Sequence, residues 1–124
     1  MRADIRSIFS SDVGDLDAFR PSGEAFAVPV RLVIGPSGAP GEESFDLTVC
    51  SAAWLAQQVE RAPVYDARHH LVVREFDWPV IRRYLEGRVA RLDGASWDEL
   101  GEKLSRLGYR EFEDLAPRDP SQAP

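Results

Sequence analysis

From Ala25 to Ile34 apolar side chains recur at every second position, with Phe26, Val28, Val30 and Leu32 on one face and Ala27, Pro29, Arg31 and Val33 on the other. A period of two rich in β-branched residues predicts a strand. Pro29 cannot donate a ladder hydrogen bond, which places that part of the strand at an edge or a bulge. The same period returns from Glu43 to Cys50, with Phe45, Leu47 and Val49 on one face and Ser44, Asp46, Thr48 and Cys50 on the other. Gly35-Pro36-Ser37-Gly38-Ala39-Pro40-Gly41 lies between them, too long for a tight hairpin but suited to an antiparallel return. Ile5, Ile8 and Phe9 predict a short first strand, and His70 to Phe76, with Leu71, Val72 and Val73 consecutive, predicts another. Asp12 to Gly23 reads as a loop.

Helical spacing takes over elsewhere. Ser51 is placed to cap a helix over Ala52 to Val59, which Pro63 ends. Asp77 caps the next, with Pro79 in its first turn. Ile81, Tyr84, Leu85, Val89 and Leu92 mark one face of that helix, Arg82, Arg83 and Arg91 fall largely elsewhere, and Gly94 closes it. Ser96-Trp97-Asp98-Glu99 matches a capping box, followed by a stripe of Trp97, Leu100, Leu104 and Leu107 with Gly108 at the C-terminal stop. Glu111-Phe112-Glu113 alternates as a last strand or an ordered tail, and Pro117 to Pro124 has the composition of a disordered C-terminal tail. The order strand, strand, strand, helix, strand, helix, helix, short segment predicts an α+β fold: a mostly antiparallel sheet of about four to five strands with about three helices packed on it. The 124-residue length suits one domain, drawn here over residues 1–116.

Composition narrows the function. The net charge of −6 disfavours nucleic acid as a ligand, since phosphate binding needs a basic footprint, and favours a basic protein partner. Cys50 is the single cysteine, so an internal disulfide is excluded and a reducing, cytoplasmic setting is expected. The chain holds no apolar run of membrane-spanning length and its charged N-terminus is no signal peptide. His69 and His70 are the only histidines; adjacent on a strand they point to opposite faces and cannot readily share a metal ion. Cys50 ends a strand in a sequence without nearby cations to activate it, and the glycine-rich loop lacks the Gly-Lys-Ser/Thr ending of a phosphate loop. Neither a cofactor nor a metal is expected, and Glu42, Glu43 and Asp46 do not suggest an acid/base pair. What remains is acids packed tightly around apolar core positions at Glu42 to Asp46 and Glu111 to Asp114, which read as a displayed surface.

Several motifs, taken in order, resemble one family. They are Ile34-Gly35-Pro36, Gly41-Glu42-Glu43-Ser44-Phe45-Asp46, Thr48-Val49-Cys50 followed by Trp54-Leu55, Trp97 with Glu99, and Lys103-Leu104-Ser105-Arg106-Leu107-Gly108-Tyr109 running into Glu111-Phe112-Glu113-Asp114. Together they resemble the immunity protein 8 family of bacterial polymorphic toxin systems, over Ile5 to Leu115. Arg110 and Leu115 stand where the family pattern favours aromatics. The resemblance implies a non-catalytic immunity protein that neutralises a cognate toxin by stoichiometric binding and occlusion. Glu42, Asp46, Glu111, Glu113 and Asp114 are the candidate contacts, with Trp78, at the start of a helix, as a partly exposed anchor. Glu43 shares the inward side of Phe45 two residues earlier, so it belongs to the sheet rim and to the scaffold; Phe112 is the anchor beside Glu111 and Glu113. Two other classes stand beside this one: a structural or regulatory module that self-associates through a sheet edge, and a small ligand-modifying enzyme, which would need convergent titratable groups.

Overall fold

The computed structural model describes residues 1–111. The expectations for Phe112, Glu113, Asp114, Leu115 and the 117–124 tail lie outside the described residues.

Strands β1 (Ala3–Phe9), β2 (Ala27–Pro36) and β3 (Glu43–Ser51) are followed by α1 (Ala52–Arg61), β4 (His70–Val73), α2 (Trp78–Ala90), α3 (Trp97–Leu104) and β5 (Tyr109–Arg110). The sheet runs β1-β2-β3-β4, with β5 also on β3. β1, β2 and β3 pair antiparallel, whereas β4 runs parallel to β3, so α1 is the crossover between them. β2 fills one side of β3 along its length. The other side is shared: β4 lies beside Thr48–Ser51 and β5 beside Phe45 and Asp46. The ladder with β1 stops at the Phe9–Arg31 pair, so β2 is an edge on that side where Pro29 sits, as its missing donor requires.

Register decides which face is wet. Val28, Val30 and Leu32 lie opposite Val49, Leu47 and Phe45, and all six are buried. Trp78, Ile81, Leu85 and Val89 of α2, Leu100 and Leu104 of α3, and Leu107 close over that face in one apolar cluster. Two caps sit where the sequence placed them: the Ser51 side chain accepts from Trp54 N–H, and that of Asp77 from Val80 N–H. At α3 the Ser96 hydroxyl accepts from Glu99 N–H, while the Glu99 carboxylate reaches back to Ala95 N–H, one residue beyond the usual capping box. That bond, with Lys103, lowers the Glu99 pKa.

Several expectations need correcting. Trp78 is only 5% exposed and is no surface anchor: its ring stacks on Phe76, which packs edge-on against Phe19 and Phe26. The predicted strand to Phe76 stops at Val73, because the chain bends at Arg74 and Glu75 and frees Phe76 for that aromatic cluster. α2 ends at Ala90 with Arg91 as its cap, not at Gly94, whose N–H instead bonds Met1 C=O and ties the start of β1 to the α2–α3 loop. Gly108 lies beyond the α3 stop at Ser105. Its use is close approach: a Cβ there would sit 3.1 Å from Phe45 Cβ and 3.3 Å from Asp46 N, so a bare backbone lets β5 reach β3. No helix among the described residues is long and apolar enough to cross a membrane.

Leu32→Ala should lower unfolding free energy by about 2–5 kcal/mol, because the side chain is fully enclosed and its loss leaves a cavity. Arg83→Ala, on the solvent side of α2, should stay within about 0.5 kcal/mol. Urea denaturation of both variants checks the assignment of faces.

Candidate binding surface

The second face of the sheet carries the polar alternates of the same strands. α2 and α3 cover the core face and leave this one to solvent over β1, β2 and much of β3. α1 packs beside β3 and β4 at one end of it, where Trp54 stacks on His70 and Tyr65 packs edge-on against both rings. No residue of α1 is buried. The result is a shallow concavity of about 400 Å3, lined by Phe9, Pro29, Arg31, Asp46, Thr48, Arg68, His69, His70 and Tyr109 among others.

At its centre Arg31 and Asp46, directly opposite each other on β2 and β3, form a two-pronged ion pair: Nε donates to Oδ1 at 2.7 Å and Nη2 to Oδ2 at 2.9 Å. The Asp46 carboxylate holds the Arg31 guanidinium more firmly protonated than usual. Both side chains remain a little over 40% exposed. Asp46 therefore offers a partner an acid already satisfied on one side, within a fixed plane. Tyr109 of β5 flanks it across β3, and its ring receives His69 edge-on.

The other predicted acids divide. Glu111 donates its N–H to Ser44 C=O, extending the β5 pairing and putting its side chain on the same face as Asp46. Its carboxylate adds to the field that keeps Arg31 charged. Glu42 is exposed at the mouth of β3, just past Gly41, whose φ of 106° needs glycine. Parity puts Glu42 on this face too, roughly 13 Å along the strand from Asp46. Its carboxylate makes no hydrogen bond or ion pair among the described residues. The structure thus brings Asp46 and Glu111 to one face around Arg31, with Glu42 at the far end of the same strand. Sequence reasoning missed Arg31, Tyr109, Pro29 and Phe9 as surface partners. The signal for Arg31 was present: it alternates away from the core, and the hairpin register sets it opposite Asp46.

Glu43 behaves as scaffold. It opens β3 on the core side and accepts from three donors: Trp97 Nε1 at 2.6 Å, Arg110 Nε at 2.6 Å and Arg110 Nη2 at 2.7 Å. These tie β3, β5 and α3 together. Arg110 also lies against Gly101, where a Cβ would come within 2.6 Å of the guanidinium. The Arg110 bonds hold the Glu43 carboxyl below the usual glutamate range; burial opposes them and the Trp97 bond adds to them.

Chemistry is sparse on this face. Cys50 is fully enclosed, and burial pushes its thiol pKa up, away from a reactive thiolate. His70 is held between Tyr65 Oη and Arg68 C=O, and His69 bonds Ser105 C=O. Among the described residues no three His, Cys, Asp or Glu side chains gather as a metal site.

A family model described as Immunity protein 8 matches residues 3–115. No curated protein and no solved structure matches the chain.

Because the folded pKa of Glu43 is depressed, its stabilisation is fully present above the ordinary glutamate value of about 4.3 and is lost as pH falls through the folded value. Glu43→Gln should cost about 2 kcal/mol at pH 7, typical of hydrogen bonds to a charged group. The gap from wild type should shrink below pH of about 4 and vanish once Glu43 is protonated. Unfolding measured from pH 7 to 3 tests this; a gap independent of pH would remove Glu43 as an ionised staple.

Proposed function

This chain belongs to the Immunity protein 8 family, and on that premise we propose that it neutralises its toxin by stoichiometric binding through the open sheet face, occluding the toxin without catalysis. Membership supplies a toxin as the partner; the mode and the face are the reading advanced here. The observation that carries it is the display of Asp46 and Glu111 around Arg31 on a face that α2 and α3 leave open, with Glu42 exposed at the mouth of the same strand. Glu113 and Asp114 continue the same acidic run in sequence and belong to the proposed contact set. Trp78 leaves it, because its ring is in the core.

Physical chemistry favours binding here over catalysis. The concavity gathers an ion pair, two histidines already hydrogen bonded and a tyrosine, and among the described residues no nucleophile is hydrogen bonded to a free base there. A net charge of −6 would draw in a toxin with a basic active-site surface, such as one built to hold phosphate. Steering of this kind raises association rate, and close charge pairs slow release. Guarding the cytoplasm against a lethal enzyme calls for Kd on the order of nanomolar, about −12 kcal/mol.

The test uses the toxin encoded beside this chain. Inhibition should titrate to completion at one-to-one stoichiometry. The association rate should fall as salt rises from low to physiological ionic strength, and Glu42→Lys combined with Glu111→Lys should slow it further. An association rate indifferent to salt and to both charge reversals would remove the acidic face from the interface. Turnover of the toxin at substoichiometric ratios would replace the binding mode with an enzymatic one.

A further inference from the structure

The two outer edges of the sheet differ. β1 carries Arg2, Asp4 and Arg6 in and beside it and has a register irregularity between Ile5 and Ser7; charge and bulging are the usual means of keeping other strands away. β4, His-Leu-Val-Val, has no charge, proline or bulge within its four residues, and among the described residues β3 is its only strand partner. Thr48 N–H bonds His69 C=O in the parallel ladder, and Thr48 pairs with His70. Alternation then turns the backbone groups of Leu71 and Val73 toward β3 and those of Val72 outward. His70 N–H is already bonded to Ala67 C=O. Val72 is therefore an exposed residue, 49% accessible, whose N–H and C=O both face away from the sheet.

Beside this edge, between β4 and α2, runs a groove of about 390 Å3. Leu71, Val73 and Ile81 line it, and Val80 and Tyr84 stand at its rim as two of the exposed large apolar side chains of the fold. A strand edge next to a helix-walled groove receives an extended segment in a particular way. Backbone bonds go to the edge, and every second side chain drops into the groove.

We propose that β4 is a second contact for the toxin, taking an extended toxin segment whose alternate residues are apolar. This rests on the immunity reading above and adds to the acidic face a point at which shape and backbone pairing do the recognising. A second copy of this chain fits less well. Its own β4 has Leu71 and Val73 committed beneath its own α2, so strand-to-strand pairing of two copies would leave both grooves without side chains to fill them.

The experiment measures affinity for the neighbouring-gene toxin with Val72→Pro and, separately, Tyr84→Glu. Proline at Val72 removes a donor that no internal bond uses, so the fold should persist, checked by thermal unfolding. Each variant should weaken toxin binding at least tenfold, while Arg83→Ala leaves it unchanged. In the wild-type complex, the Val72 amide should gain protection from hydrogen exchange. Folded variants of both kinds that bind as wild type does would overturn strand addition and leave the immunity reading standing. Failure of the wild-type chain to bind or inhibit the toxin would overturn both. A toxin-free dimer that Val72→Pro abolishes would assign the edge to a second copy and overturn the proposal.

Discussion

Everything on this molecule follows from the register of one hairpin. Val28, Val30 and Leu32 oppose Val49, Leu47 and Phe45, and the intervening residues bring Arg31 opposite Asp46. A slip of β2 by one residue would turn its three buried side chains to water and send Arg31 into the core, parted from Asp46. Burial on one face thus fixes electrostatics on the other. The Arg31–Asp46 pair is exposed enough to contribute little stability of its own. Its place is nonetheless held rigidly, because the apolar pairs on the reverse of the same strands cannot move.

The second constraint is the joint at Glu43. A carboxylate that receives three hydrogen bonds fastens the last described strand and α3 to the mouth of β3. Two adjacent glutamates therefore have opposite fates. Glu42 is displayed and Glu43 is enclosed, and only strand parity separates them. A count of formal charge treats them alike, whereas only the first stands open to solvent.

Most of the architecture was legible in the chain. The order of elements, the faces of β2 and β3, and the Ser51, Asp77 and Ser96 caps all followed from period and local chemistry. So did the inward turn of Glu43, since Phe45 two residues on had to face the core. What failed was decided by tertiary packing. Trp78 looked peripheral because it starts a helix, yet Phe76 and Phe19 lie where its ring can stack inward. β4 looked longer than it is, because nothing in Arg74-Glu75 announces the bend. The parallel pairing of β4 was likewise hidden, since the alternation of a strand carries no sign of its partner's direction. The partners around Asp46 were within reach: centring the hairpin on Gly38 and Ala39 reproduces the Arg31–Asp46 pairing.

That parallel step leaves α1 in an unusual position. A crossover helix normally seals one side of its sheet, but here none of its residues is buried, and its aromatic contact with the sheet is Trp54 stacked on His70. With so little buried apolar surface, α1 is the helix whose local opening should cost least. The hairpin with α2 and α3 holds the core, and the ten residues of α1 lie outside it with no residue of their own buried. Proteases should then find that helix before α2 or α3, and a ligand that braced it should show as a local gain in resistance larger than its effect on the melting of the whole.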